Sequence, residues 1–131
     1  MIADSSAWIE FFRATGSRVD RRLGAAMRSG ESLTMPDAVY QEILQGAKNA
    51  MHFDELRAQL DDVDRYVSED PRQCAENAAM LYARCRWRGV TIRSANDCLI
   101  AACAIEAGEP LLHADRDFEA IARIDPRLQL I

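Results

Sequence analysis

Short apolar clusters alternate along the chain with longer stretches of helical spacing, the signature of strand and helix units built on a parallel sheet. Met1 to Ala3 reads as a short buried strand ending at Asp4, with a helix start at Ser5-Ser6 and an apolar helix from Ala7 to Arg13. Ser17 and Asp20 fit the S-x-x-D capping pattern of a second helix that stops at Gly30. Ser32 to Met35 is the next expected strand. Pro36-Asp37 then opens a helix carrying Val39, Tyr40, Ile43 and Leu44, with Gly46 at its end. Residues 49–64 and 73–88 space their apolar positions helically, with a very short strand at Tyr66-Val67 between them and Gly89 as a stop. The helix from Asn96 through Glu106 is the most apolar and ends at Gly108, which predicts burial on most sides. Pro110 to His113 reads as a strand, Asp117 to Ala122 as a short helix and Leu128 to Ile131 as a last strand. No internal repeat or linker interrupts this order, so residues 1–131 are expected to form one α/β domain on a central parallel sheet.

Composition narrows the chemistry. A chain of 131 residues with 49% hydrophobic and 28% charged positions suits a single globular domain whose core needs no metal or disulfide to hold it. Twenty-one Asp+Glu against 16 Lys+Arg leave a formal charge of −5, so a polyanionic substrate would require a local basic patch or a cation. Lys48 is the one lysine among the 16 basic residues, which leaves lysine-based catalysis almost without candidates; arginine instead suits forked recognition of phosphate. Cys74, Cys85, Cys98 and Cys103 form no CxxC and have no histidine at ligand spacing, so they read as reduced core thiols. No apolar run approaches the roughly 18 residues of a membrane span, and a soluble cytoplasmic protein is expected.

Two expected strands end in acid. Asp4 follows Met1-Ile-Ala, and Asp115 and Asp117 follow Leu111-Leu112-His113-Ala114, which sets three carboxylates along the rim where ligands bind in open parallel sheets. Asp97 and Glu42 lie on helices next to core-facing positions, where an unpartnered acid is rare. Each has a structural reading: Asp97 as capping partner of Ser94, Asp117 as cap of the last helix, Glu42 as an exposed helix residue, Asp4 as a turn acid. Taken jointly these readings weaken, because converging acids repel unless a cation neutralises them. With neither Cys nor His in the set, a hard cation such as Mg²⁺ fits; it lowers the pKa of water and offsets charge on a phosphoryl group.

The opening Met-Ile-Ala-Asp4-Ser-Ser-Ala-Trp, the Glu42-Ile-Leu-Gln-Gly segment, Arg93-Ser-Ala-Asn-Asp97-Cys-Leu-Ile-Ala-Ala and Leu112-His-Ala-Asp115-Arg-Asp117-Phe-Glu-Ala-Ile resemble the PIN-domain ribonucleases, specifically the VapC toxins of toxin–antitoxin pairs. The resemblance runs through the whole chain in order. It implies a three-layer α/β/α sandwich and a Mg²⁺- or Mn²⁺-dependent endoribonuclease that cuts structured RNA, a transfer RNA or a ribosomal RNA loop. It also implies that Asp4 and Asp97 are principal metal ligands, that Glu42 and Asp115 complete the acidic quartet, and that Asp117 is a further metal candidate from the same loop. Ser5 stands where the family often has Thr, and Ser5 and Asn96 are auxiliary candidates. A VapB antitoxin and a homodimer are the implied partners.

An acidic cleft that meets RNA needs a cationic rim. Arg84, Arg86, Arg88 and Arg93 lie in an acid-free stretch that also holds Trp87, offering phosphate contacts and a stacking face, or else a solvated helix end whose arginines face the C-terminal dipole. Arg116, inside the acidic loop, positions a phosphate or softens carboxylate repulsion. His52 and His113 suit a two-histidine ribonuclease poorly; His113 reads as packing at a strand end. Trp8, Phe11 and Phe12 read as core or dimer contacts, and the apolar faces of residues 49–64 and 73–88 as sources of a dimer or antitoxin surface. A receiver-type domain would need a lysine near the last strand, and an aspartyl phosphatase would need D-x-D where residue 6 is Ser. A catalytically inactive PIN-like binding module would lack an acid, and all four are present.

Overall fold

A computed structural model of the chain describes all 131 residues. Strands β1 (Ile2–Ala3), β2 (Thr34–Pro36), β3 (Asp64–Tyr66) and β4 (Leu111–Leu112) form one parallel sheet in the order β3-β2-β1-β4. Parallel neighbours need crossovers, and helices supply them. Helices α1 (Ser5–Phe12) and α2 (Arg18–Ser29) lead from β1 to β2, and α3 (Asp37–Gln45) and α4 (Ala50–Leu60) from β2 to β3. Helices α5 (Pro71–Trp87) and α6 (Ala95–Ala107) lead from β3 to β4, and α7 (Asp117–Ile124) follows. These seven helices flank the sheet, with α1 packed on α2 and α3, and α5 on α6 and α7. The expected α/β architecture is therefore the observed one.

Strand β1 lies between β2 and β4, and Met1, Ile2 and Ala3 are all buried, which is why this strand is apolar without alternation. Trp8, Leu23, Ile100, Leu111, Leu112 and Phe118 are fully buried around it. Helix α6 buries seven of its residues, from Asp97 to Ala104, as its apolar sequence predicts. All four cysteines are free and buried. No helix is long and apolar enough to cross a membrane.

Several boundaries differ from the sequence expectation, for identifiable reasons. Strand β2 runs Thr34–Pro36 rather than 32–35, because Pro36, at φ −63° and ψ 148°, is both extended and the residue that enters α3. The strand expected at 66–67 is Asp64–Tyr66: it is an edge strand fixed by pairing with β2, so the exposed Asp64 and Arg65 belong to it. The strand expected at 110–113 contracts to Leu111–Leu112, and the one at 128–131 to a single bridge between Leu111 and Leu130. Helix α1 is capped by Asp4, whose carboxylate accepts from the backbone of Ser6. Helix α5 begins earlier than expected, with Asp70 as its cap and Pro71 in its first turn. Ser94 does not form the expected capping hydrogen bond of α6, where Asp97 was its expected partner, and Asp117 is the first residue of α7 rather than its cap.

Candidate active site

The carboxyl ends of β1 and β4 and the first turn of α6 bring together the acids that the sequence scatters over more than a hundred positions. Asp4 ends β1 and is 2% exposed. Its Oδ2 accepts from the Ser6 amide at 2.9 Å and from the Ser6 hydroxyl at 2.6 Å, while Oδ1 is buried with no partner. Burial pushes the Asp4 pKa up, hydrogen bonds from Ser6 pull against it, and the charge of Glu42 adds to the rise.

Glu42 projects from α3 and is held from two other helices. Ser5 Oγ donates to its Oε2 at 2.6 Å, and Asn96 Nδ2 donates to its Oε1 at 3.1 Å. The two auxiliary candidates thus meet on one carboxylate.

Asp97 occupies the first turn of α6 and is 7% exposed. Its pKa is pushed up to about 7, first by burial and then by the charges of Asp4, Asp115, Glu42 and Asp117. All five candidate acids therefore share one electrostatic neighbourhood. Carboxylate oxygens of Asp97, Asp115 and Asp117 lie within 4.8 Å of one another, so both acids of the 115–117 turn stand beside Asp97.

Arg93 grips that turn. Its Nη2 donates to Asp115 Oδ1 at 2.6 Å, and its Nε and backbone N–H both donate to Asp117 Oδ2 at 3.1 Å. Burial opposes the charge on Asp117, but the Arg93 hydrogen bonds outweigh it and hold this carboxyl below its ordinary pKa. His113 Nδ1 lies 2.7 Å from the Asp115 carbonyl, which can only accept, so this nitrogen carries the proton; the ring leans on Phe118 at 5.5 Å. His113 shapes the acidic turn by packing and by this single hydrogen bond.

The basic stretch divides. Arg84 Nη2 donates to the Ile124 carbonyl at 2.7 Å beside Asp125, which ties α5 to the end of α7 instead of reaching for a ligand. Arg86, Trp87 and Arg88 are exposed, Trp87 by 67%. Arg93 lies within the acid cluster, and Arg116 is exposed at the start of α7, where its charge helps lower the Asp117 pKa.

Sequence reasoning missed Ser6. Its hydroxyl donates to Asp4 and accepts from the Ala114 amide at 3.0 Å, strapping the β1 end to the turn after β4. The available signal was the Asp-Ser-Ser triplet at a strand end, since a serine two residues after an aspartate at a helix start bonds back to it.

Residues 1–124 match the family described as PIN domain. The chain belongs to the PIN-domain family. This PIN domain is 38% identical over 128 residues to VapC ribonuclease Mb1587 of Mycobacterium bovis, a match spanning 95% of this chain and 92% of that protein. Ribonuclease VapC11 of Mycobacterium tuberculosis matches to the same extent, so within the family the chain groups with the VapC ribonucleases. The fold is shared with VapBC2 from Rickettsia felis bound to a promoter DNA fragment, at a TM-score of 0.76 and 17% identity over 99% of this chain and 96% of that one. It is shared also with the DNA-bound VapBC of Salmonella typhimurium, at a TM-score of 0.70 and 17% identity over 99% and 95% of the two chains.

Proposed function

We propose that this PIN domain is the toxin of a VapBC pair, a divalent-cation-dependent endoribonuclease that hydrolyses phosphodiester bonds in structured RNA, transfer or ribosomal. The observation that carries the cation dependence is the buried Asp4 Oδ1, an oxygen with no partner in a neighbourhood of four further acids. An arrangement of this kind is stable when a positive charge completes it. The donors are all carboxylate oxygens, which suits Mg²⁺, with Mn²⁺ as a substitute, over softer metals.

Asp4 and Asp97 are the principal holders of the cation, with Asp115 and Asp117 supplying the outer side. When bound, the cation lowers the pKa of water and offsets charge that develops on the phosphate. Glu42, fixed through both oxygens by Ser5 and Asn96, orients the attacking water through its remaining lone pairs. Ser6 keeps Asp4 and the acidic turn in register. Arg86 and Arg88 contact backbone phosphates, Trp87 stacks on a base, and Arg116 steers the strand past the acidic turn.

The partners follow from the same reading. The solved VapBC assemblies with this fold support a VapB-type antitoxin. A groove of about 460 Å³ among α1, α2 and α4, lined by Trp8, Phe11, Phe12, Met27 and Leu56 and by the polar His52, Glu55 and Gln59, suits an amphipathic antitoxin helix. Exposed Met51, Phe53 and Met80 offer apolar surface for a homodimer.

The deciding experiment incubates purified protein with total RNA, with and without Mg²⁺, beside Asp4→Asn and Asp97→Asn. Discrete Mg²⁺-dependent cuts that vanish in both variants support the assignment. Cuts that persist at full rate in both variants, or that need no divalent cation, end it.

A further inference from the structure

We propose that Arg93 is an internal counter-ion of the acid cluster, a guanidinium that occupies the outer side of the site until a divalent cation displaces it. This inference rests on the cation-dependent reading given above. The fork bridges two carboxylates, with Nη2 on Asp115 and Nε on Asp117, at a point where three acids already lie within 4.8 Å. No arginine reaches the inner side, where Asp4 Oδ1 is left without a partner. One positive charge on the outer acids therefore leaves the buried Asp4 Oδ1 without a counter-charge.

Two features make the guanidinium replaceable. The Arg93 side chain is 62% exposed, so water competes for its hydrogen bonds and the ion pairs are weak in net terms. The Arg93 backbone N–H also holds Asp117 Oδ2, so the acidic turn keeps an anchor when the side chain swings away. The outcome is a site whose affinity for the cation is set by competition with its own arginine. The cation-free protein is relieved of carboxylate repulsion, and the cation binds more weakly than it would without the arginine.

The test measures Mn²⁺ binding by calorimetry to wild type, Arg93→Gln, Arg93→Lys and Asp97→Asn, with thermal unfolding of each in the presence and absence of Mn²⁺. Arg93→Gln is expected to bind Mn²⁺ roughly three- to tenfold more tightly than wild type. It should also melt at a lower temperature without cation and recover the wild-type value with it, which a merely structural arginine would not do. Arg93→Lys keeps the charge without the fork, so it falls between the two, and it decides the matter by the same comparison should Arg93→Gln fail to fold. Affinity equal to or weaker than wild type in these variants, with uptake still abolished by Asp97→Asn, overturns the counter-ion role alone. Absence of Mn²⁺ uptake by wild type and variants alike overturns the cation-dependent reading with it.

Discussion

Ser5 donates to Glu42 across 2.6 Å, joining the first turn of α1 to α3 over 37 positions of sequence. With Asn96 on the other oxygen, the glutamate is fixed between three helices, and its orientation does not depend on bound cation. Residues that orient a reactive carboxylate typically contribute 10- to 100-fold to activity. Ser5→Ala and Asn96→Ala are each expected to lower the RNA cleavage rate by roughly that factor. The double variant should fall further, and Ser5→Thr should retain activity. Rates measured under single-turnover conditions check this. Wild-type rates in both single variants would detach Glu42 from the chemistry.

The raised pKa of Asp97 makes a prediction about stability. The folded carboxyl keeps its proton up to about 7 while the unfolded one releases it near its ordinary 3.8. In this window the folded state binds more protons, so the contribution of Asp97 is complete at low pH and is lost as pH rises from about 4 to about 7. Asp4, raised in the same sense, adds to the trend. Asp117 and Asp125, held below their ordinary pKa, act in the opposite sense and only at more acidic pH. Metal-free protein is therefore expected to lose melting temperature between pH 5 and 7.5, within the range where carboxylate linkage acts. Asp97→Asn should flatten that slope, and Mg²⁺ should remove most of it in wild type. Thermal unfolding across this range, with and without Mg²⁺, is the measurement, and a flat wild-type profile without cation contradicts it.

Local rules made much of this site legible. Asp4 and the 115–117 acids stand directly after apolar runs, so a strand ending at a sheet rim was the natural reading, and the structure places all three there. Glu42 and Asn96 are 54 positions apart, and no helical period records that one side chain will donate to the other. Arg84, Arg86, Arg88 and Arg93 look alike in sequence, yet they separate into a tie to α7, two solvated charges and a fork on the acids, because tertiary packing chooses the neighbour. The edges of the sheet were the least legible part. Asp64 and Arg65 carry no apolar signal, and their strand exists because β2 offers a partner.

Ser6 joins Asp4 to the acidic turn through a single hydroxyl, so Ser6→Ala removes a donor from Asp4 Oδ2 and an acceptor from the Ala114 amide at once. The Ser6 backbone still caps through Asp4, which keeps α1 in place. Losing part-buried hydrogen bonds of this kind costs about 1–3 kcal/mol. Ser6→Ala should lose stability in that range by urea denaturation and bind Mn²⁺ more weakly, whereas Ser6→Thr should restore both. Unchanged Mn²⁺ affinity in the alanine variant would confine Ser6 to a structural role.

Arg84 and the pair Arg86 and Arg88 lie within five residues of each other but should respond oppositely to substitution. Arg84 satisfies the carbonyl of Ile124 in a partly buried position, so Arg84→Ala should cost about 1–2 kcal/mol of stability and leave RNA affinity within a factor of about two in the folded protein. Arg86→Glu with Arg88→Glu reverses two exposed charges, so stability should change by less than about 0.5 kcal/mol. RNA binding should weaken, and the slope of log affinity against log salt should become shallower by roughly one to two, since each lost phosphate contact releases fewer counterions. Filter binding of a non-cleaved RNA to the Asp97→Asn protein, at several salt concentrations, separates the two sets. Equal salt slopes before and after the double charge reversal would show that RNA does not travel over the end of α5, and would move the cationic rim to Arg116 and the far side of the acidic turn.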